Sequence, residues 1–450
     1  MESGEWGIEP VPEGARRLGF WNFAVLWGDL GIGLLVLLTG SFLVPALALG
    51  QALFAIAIGS VIGVALLALA GIVGSQTGAP TMVNLRPALG VRGSYVPTAL
   101  NVLQLFGWTV FELAIMAHAA NSVGRRFGGF DAYALWLALF AVAVVGMAVW
   151  GPMAVIRQWL GRFAVWVMLG TTLWLTWTLL TRYDVVALLA RPGTGGLPFW
   201  AAVDIVIAMP ISWLPLVSDY SRFARRPVPA FWGTALGYLV ANVWFFSLGA
   251  LILLAAQVTQ EPKGFVEAVA LIAGPLALVI LLVDETDEAW ADLYSAAVSV
   301  QNVLPRASIR TVVLGLGVAG ALVALGLDVT QYEAFLLLIG SVFVPLFGVL
   351  AADYFGVRRR YVASELVRPR GLYWSQAGVN WLGITAWGLG VVAYLGIAGK
   401  LAVLGLPGLP SMGASLPSLV VAGATYLGLV RLVPQALEAT ATRANASRVP

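Results

Sequence analysis

The residues with the greatest chemical potential are acids placed where a sequence can least accommodate them. Asp284-Glu285-Thr286-Asp287-Glu288, followed by Asp292, sits inside a long apolar stretch. Glu112 stands alone in the run from Trp108 to Ala117, and Asp29 lies in a third apolar run. An ionised acid in hydrocarbon costs at least ~2.5 kcal/mol unless it faces a cavity or a partner. Carboxylates crowded in one segment repel one another unless some hold protons or share a cation. The pattern therefore points to binding of a cation, a proton, or a ligand rich in N–H donors.

Helical periodicity sorts these groups by face. At ~100° per residue, Asn101, Gln104, Trp108 and Glu112 fall within about 80° of one another. A flat indole one turn from a carboxylate suits a planar ligand that stacks on one and hydrogen-bonds the other. The alternative for Glu112 is a protonated side chain bonded to a neighbouring helix. Asp284, Glu288, Ser295 and Ser299 fall within about 60°, with Glu285 and Asp292 on the shoulder. An amphipathic helix end in a wet vestibule would explain one or two of these acids, and five poorly. Spacing leaves open which acid meets sodium, which takes a proton and which meets the ligand.

The elements that hold these residues follow from composition. The chain is 60% hydrophobic and 10% charged, whereas a soluble domain carries roughly 25% charged residues. Runs such as Leu34–Leu49, Ala52–Ala70 and Ala134–Val149 match the ~20 apolar residues that span a bilayer as a helix. Transmembrane β-barrels are excluded, because their strands alternate polar and apolar with weak average hydropathy. With no cysteine there is no disulfide, thiolate metal site or Cys nucleophile. The formal charge of +3 sits in loops and gives nucleic-acid binding no support. Residues 1–17 hold four glutamates before any apolar run, which is unlike a signal peptide.

The sequence predicts an all-α integral membrane protein of twelve helices. These are α1 to α12, near 20–46, 51–74, 95–123, 132–151, 160–181, 198–219, 229–257, 265–303, 308–327, 330–354, 375–398 and 411–433. Placing the N-terminus inside puts nineteen of the 25 Lys and Arg residues on the cytoplasmic side. Only Arg125, Arg126, Arg182, Arg191, Lys263 and Lys400 then fall outside, as the positive-inside rule requires. Both termini are expected in the cytoplasm, with tails at 1–18 and 434–450.

Two helices carry punctuation. In α1, Trp27-Gly28-Asp29-Leu30-Gly31-Ile32-Gly33 places three glycines in six residues, each lowering helix propensity by ~1 kcal/mol. In α6, Met209-Pro210-Ile211-Ser212-Trp213-Leu214-Pro215 has two prolines, each removing a helical hydrogen bond. Either segment alone reads equally well as packing glycines or ordinary kinks. Together they occupy equivalent positions if helices 1–5 (residues 19–181) and 6–10 (198–354) are repeats of opposite topology. Paired interruptions of this kind point to a midplane binding site in a secondary transporter. Helices α11 and α12 (375–433) are additions outside the five-plus-five repeat. Asp219-Tyr220-Ser221-Arg222-Phe223 reads as a salt-bridged helix end with a structural or gating role. His118 reads as a helix-lining group rather than a proton relay.

At these residues the chain resembles the nucleobase:cation symporter-1 family, from about residue 18 to 433. Gly74-Ser75-Gln76-Thr77-Gly78 and Gly90-Val91-Arg92-Gly93-Ser94-Tyr95-Val96-Pro97 are similar to the loop between helices 2 and 3 of cytosine permeases. Asp219-Tyr220-Ser221-Arg222-Phe223 matches the family's helix 6 ending, and Ala351-Ala352-Asp353-Tyr354 its helix 10 exit. Trp27 to Gly33, Pro210 to Pro215 and Leu293-Tyr294-Ser295-Ala296-Ala297 look most like the branch thought to import hydroxymethylpyrimidine, a thiamine precursor. The resemblance implies a LeuT-like inverted repeat and a planar heterocycle stacked between Trp108 and Trp213, with Glu112 on its ring. It implies sodium between α1 carbonyls, around Trp27 to Leu30, and α8, where Thr286-Asp287-Glu288 carries acids in place of the usual hydroxyls or amides. Proton coupling is therefore an open alternative.

The expected function is a cation symporter, coupled to Na⁺ or H⁺, that imports hydroxymethylpyrimidine, cytosine or a related nucleobase across the cytoplasmic membrane. The expected ligand contacts are Asp29, Gln104, Trp108, Glu112, Ser212, Trp213, Asp284 and Glu288. The expected cation contacts are Trp27, Leu30, Thr286, Asp287 and Glu288. Beyond the coupling ion no cofactor is expected, and the partners are the small substrate and the bilayer. An amino-acid symporter of the same architecture is the nearest alternative, although Asp29 and Glu112 would repel a substrate carboxylate. A non-transporting receptor is a further one. A zinc enzyme would need more than the single His118.

Overall fold

The computed structural model describes residues 6–150, 156, 165–258, 261–405, 408–409 and 411–433. The outermost tail residues, Arg157 and Arg162 lie outside the described residues. Eight helices are each long and apolar enough to cross a membrane. The pair Phe20–Asp29 (α1a) and Leu34–Ser41 (α1b), bent by 61°, makes a ninth span. Three further spans are α5, described over Val165–Arg182, α8 (Pro275–Val303), whose acids lower its hydropathy, and the shorter α9 (Ile309–Ala324). Val142, Trp177 and Leu322 point outward at 65% exposure or more, while Asp29, Glu112 and Glu285 are buried. A surface this apolar around an acidic interior belongs in lipid.

The spans sort into groups. Helix α7 (Pro227–Ala256) packs on both halves of α1 and on α2 (Leu49–Thr77), and α2 packs on α6a (Phe199–Ser212). Helix α3 (Tyr95–Gly128) packs on α8, and both contact α4 (Tyr133–Trp150) and α9. Helices α10 (Tyr332–Ala351), α11 (Trp381–Ile397) and α12 (Ser415–Leu432) form a third cluster. The α1b–α7 crossing depends on absent side chains. A Cβ on Gly249 would lie 1.8 Å from the Leu37 carbonyl oxygen, the close backbone approach that small residues allow between spans. At the exit of α10, Asp353 accepts hydrogen bonds from Arg358 (3.0 Å), Tyr361 (2.6 Å) and Tyr426 of α12 (2.6 Å).

One expected boundary is corrected. The stretch near 265–303 is two helices, Pro262–Ala273 and α8 from Pro275. Gly274 has φ +87° between them, and the following proline opens the next helix. A positive φ ends a helix at glycine, and a proline at the first turn starts one without losing a hydrogen bond. Both interrupted spans do break, slightly later than the glycines and prolines suggest. In α1 the helix is lost over 30–33, and in α6 it passes through Pro210 and gives way to a tight 3₁₀ turn at Leu214–Leu216 before α6b (Val217–Ser221).

Candidate substrate and cation sites

Each break leaves backbone groups that a hydrocarbon environment would penalise, and each is met by a side chain from the α3–α8 pair. The first turn of α1b presents N–H groups with no helical partner. Glu285 of α8 reaches across and accepts from the Leu34 N–H at 2.7 Å. A carboxylate there also opposes the positive end of the helix dipole. Gly33 makes this approach possible, since a Cβ at that position would stand 2.7 Å from Glu288 Oε1 and 3.1 Å from Glu285 Oε2. At the α6 break, Gln104 Nε2 donates to the freed Ser212 carbonyl at 3.0 Å and to Asn101 Oδ1 at 3.0 Å. Asn101 donates in turn to Ser299 Oγ of α8 at 2.9 Å. The two polar stripes therefore meet.

Between the breaks lies a narrow buried cavity. Trp108 and Glu112 of α3, Ser212 and Trp213 at the α6 break, Glu288 and Asp292 of α8 line it, with Leu35, Val36 and Met209. The space open to the centre of a water molecule is about 10 Å³, at the lower limit of what one water requires. Its indoles are braced edge-on: Trp108 by Tyr332 (5.7 Å) and Phe335 (5.4 Å), Trp213 by Trp27 (6.1 Å). Glu112 Oε2, Asp292 Oδ2 and Glu288 Oε1 have no hydrogen-bond partner. The lining contains no Lys or Arg.

A second acidic group sits beside the first. One carboxylate oxygen each from Asp29, Asp284 and Asp287 lie within 4.8 Å of one another, all three residues buried. Neither oxygen of Asp29 or of Asp284 has a hydrogen-bond partner. Oxygen ligands so arranged fit a hard cation or shared protons.

The expected site residues divide accordingly. Trp108, Glu112, Ser212, Trp213 and Glu288 come together at the cavity. Asp29 and Asp284, expected at the ligand, do not line it and join Asp287 instead. Gln104 is also off the lining, occupied in holding the α6 carbonyl. Trp27 and Leu30 are fully buried at the end of α1a, next to Asp29. Thr286 is a correction. Its hydroxyl donates to the Val283 carbonyl at 2.6 Å and lies 3.7 Å from Met147 Sδ of α4. Two residues beyond Asp284 is about 200° of helix rotation, so it faces away from α1. Asp292 was visible only as a shoulder residue, although its spacing of four from Glu288 marks it as a neighbour on one face. The capping role of Glu285 gave no signal, because its partner is 251 residues away in the chain.

At the arginine-rich end, α6b closes against α8. Tyr220 donates to the Ala291 carbonyl (3.1 Å), and Arg222 donates to the Gly7 carbonyl (2.6 Å) and the Tyr294 hydroxyl (3.0 Å). Asp219 accepts from the Thr81 N–H at 3.0 Å and forms no ion pair with Arg222, which corrects the expected salt bridge. Near the opposite end of α3, His118 stacks on Tyr133 (4.5 Å) beside a cavity of about 530 Å³ with Lys263 and Glu267. Its ring forms part of that cavity's wall.

Two broken helices meeting at a tryptophan-walled cavity, in a five-plus-five inverted repeat with two extra helices, define a LeuT-like fold. Residues 10–415 match the profile of the family described as permease for cytosine/purines, uracil, thiamine, allantoin, and the chain belongs to that family. It is 26% identical over 399 residues to a hydantoin permease of Microbacterium maritypicum, covering 84% of this chain and 81% of that one. It is 26% identical over 385 residues to the cytosine permease of Escherichia coli (strain K12), covering 85% and 87%. The fold superposes on Mhp1, a nucleobase-cation-symport-1 family transporter in a closed conformation with bromovinylhydantoin bound. The TM-score is 0.82, with 23% identity and 95% of each chain covered. The protein is a carrier and not an enzyme.

Proposed function

We propose that this carrier imports a planar pyrimidine-like compound, hydroxymethylpyrimidine or cytosine or a related nucleobase, by symport with Na⁺ or H⁺. The observation that carries this reading is the cavity in which Trp108 and Trp213 offer aromatic faces while Glu112, Glu288 and Asp292 offer acceptors. An aromatic ring gains area burial and stacking from the indoles, and its edge N–H groups supply the donors that the carboxyls lack. An amino acid would bring its own carboxylate against these acids, which disfavours that alternative. Asp29, Asp284 and Asp287 would hold the coupling cation or proton, beside the α1 break and one helix face from the ligand.

Ligand and ion then share the broken segment of α1, since Glu285 and Glu288 of α8 both approach it at Gly33. Alternating access follows if α1, α2, α6 and α7 rock against the rest. Occupancy biases the two states only as far as it binds one better than the other. The α6b–α8 contacts through Tyr220 and Arg222 must break for opening at the arginine-rich end, which the proposed orientation makes cytoplasmic.

The test is thermal stabilisation of the purified protein by nucleobases, hydroxymethylpyrimidine, thiamine, hydantoins and amino acids, each with and without Na⁺. Stabilisation by a planar heterocycle is expected. Stabilisation by amino acids alone would overturn the reading, and indifference of heterocycle binding to Na⁺ at every pH would leave protons as the coupling ion.

A further inference from the structure

A cavity of about 500 Å³ lies where α6a and α10 begin and α11 ends, and it shares no lining residue with the substrate cavity. Its depth is apolar. Ala334, Leu337, Leu338 and Ser341 recur at helical spacing along one face of α10, opposite Ile205 of α6a and Leu395 of α11. Ser341 and Asp204, which also line it, are already engaged. Ser341 donates to the Leu338 carbonyl at 2.7 Å, and Asp204 accepts from the Ala414 and Ser415 N–H groups at 2.5 and 3.1 Å. Tyr394 packs its hydroxyl against Gly340, where a Cβ would stand 3.0 Å away. The charges at the mouth are not engaged in this way. Glu333, in the first turn of α10, and Lys400, just past α11, are exposed, and neither forms an ion pair among the described residues.

Shape and surroundings define what fits. From Glu333 to Ser341 the helix rises about 12 Å at 1.5 Å per residue, so the cavity runs from the helix ends toward the middle of the bilayer. Leu338 and Leu409 on its border are 60% and 55% exposed, so it opens sideways to lipid. An occupant is therefore apolar along its length and charged at one end, the form of a phospholipid chain below its headgroup. The bilayer already surrounds an acyl chain with groups as apolar as leucine, so entering the cavity gains the chain little. Selection among lipids must come from the headgroup. One acid and one base that do not pair with each other complement a headgroup carrying both signs. A primary ammonium donates hydrogen bonds to a carboxylate, whereas a quaternary one has no N–H to donate. An anionic headgroup without an amine leaves Glu333 unanswered and is repelled by it.

We propose that this cavity is a phospholipid site selective for phosphatidylethanolamine, with the phosphate on Lys400, the ammonium on Glu333 and one acyl chain in the cleft between α6a, α10 and α11. The site is independent of which solute is carried. Helix α6a packs on α10, and only α6a belongs to the group proposed to rock, so the lipid bridges the seam between the two parts.

The experiment is native mass spectrometry of the purified full chain in detergent containing equal amounts of dioleoyl phosphatidylethanolamine, phosphatidylcholine and phosphatidylglycerol. Phosphatidylethanolamine is expected to be retained about fivefold over each of the others, the size of one charged contact near a membrane surface. Lys400→Gln removes the phosphate contact and is expected to lower retention of all three about fivefold. Glu333→Lys leaves two bases at the mouth and is expected to reverse the order in favour of phosphatidylglycerol. Ala334→Trp fills the cavity and is expected to remove the retained lipid whatever its headgroup. Thermal unfolding confirms that the variants are folded. Should Ala334→Trp not fold, the two exposed positions, Glu333 and Lys400, decide. Equal retention of the three lipids by the unmodified chain, an unchanged order in Glu333→Lys, or full retention in a folded Ala334→Trp overturns the proposal, and each leaves the carrier reading as it stands.

Discussion

Glu285 offers the sharpest test of how the broken helix is maintained. It is fully buried and accepts from the Leu34 N–H at 2.7 Å, at the first turn of α1b. Glu285→Ala removes the acceptor, and no water in a hydrocarbon layer replaces it. An unsatisfied buried donor costs about 1–3 kcal/mol. Removing the charge has an opposing effect, because Glu285 stands among other acids. At an effective dielectric of ~20, unit charges about 6 Å apart repel by roughly 3 kcal/mol, enough to mask the loss. Glu285→Gln removes the same charge and keeps a carbonyl acceptor, so the difference between the two variants reports the hydrogen bond. At roughly 2 °C per kcal/mol for a large chain, Glu285→Ala should unfold about 2–6 °C below Glu285→Gln. The assay is thermal unfolding in detergent, followed through the 18 tryptophans. Equal midpoints for the two variants would refute the capping role.

Further outcomes follow from other contacts. Trp213→Ala should weaken heterocycle binding by about 2 kcal/mol, roughly 30-fold, from lost stacking and area, measured by calorimetry; unchanged affinity would remove Trp213 from the site. Gly249→Ala gains ~1 kcal/mol of helix propensity but sets a Cβ 1.8 Å from the Leu37 carbonyl. Overpacking against backbone costs about 1–3 kcal/mol, so a lower unfolding midpoint is expected. Arg222→Ala loses two bonds from a buried guanidinium, so a cysteine introduced at Ala291 in this cysteine-free chain should react about tenfold faster with a polar thiol reagent. Between α3 and α4, hydrogen bonds from Asn121 and Arg125 hold Asp131 below the usual carboxylate range. Its contribution is therefore present above the unfolded-state value and lost as pH falls through the lower folded one. The midpoint difference between the native chain and Asp131→Asn should be constant from pH 8 to 5 and vanish at strongly acid pH.

The parts legible in the sequence share one property: their cause is local. Glycines around Asp29 and prolines around Ser212 weaken the helix in which they lie, so both breaks could be placed within a few residues. The Trp108–Glu112 spacing and the apolar runs are likewise local. Gly274-Pro275 carried the same kind of signal for the split before α8, and a boundary drawn on hydropathy alone overlooked it. What sequence could not supply is which side chain answers a distant backbone group. Glu285 at Leu34 and Gln104 at Ser212 are pairings across the fold. Residue type suggests a ligand role for Gln104, and the fold commits its amide N–H groups to Asn101 and to the Ser212 carbonyl. Thr286 was expected at the cation from resemblance to hydroxyls elsewhere, but helix rotation alone turns it toward α4. The division of the acids into two groups follows from the same rotation once the position of α1 is known.

The most direct test of the carrier reading is uptake by proteoliposomes. Radiolabelled hydroxymethylpyrimidine and cytosine are offered in turn, with an inward Na⁺ gradient, an inward H⁺ gradient or neither. At least one of the two is expected to accumulate above its external concentration under one gradient, and only to equilibrate without it, as a coupled carrier requires. Failure of both to enter protein-containing vesicles above protein-free controls, under either gradient, would contradict it.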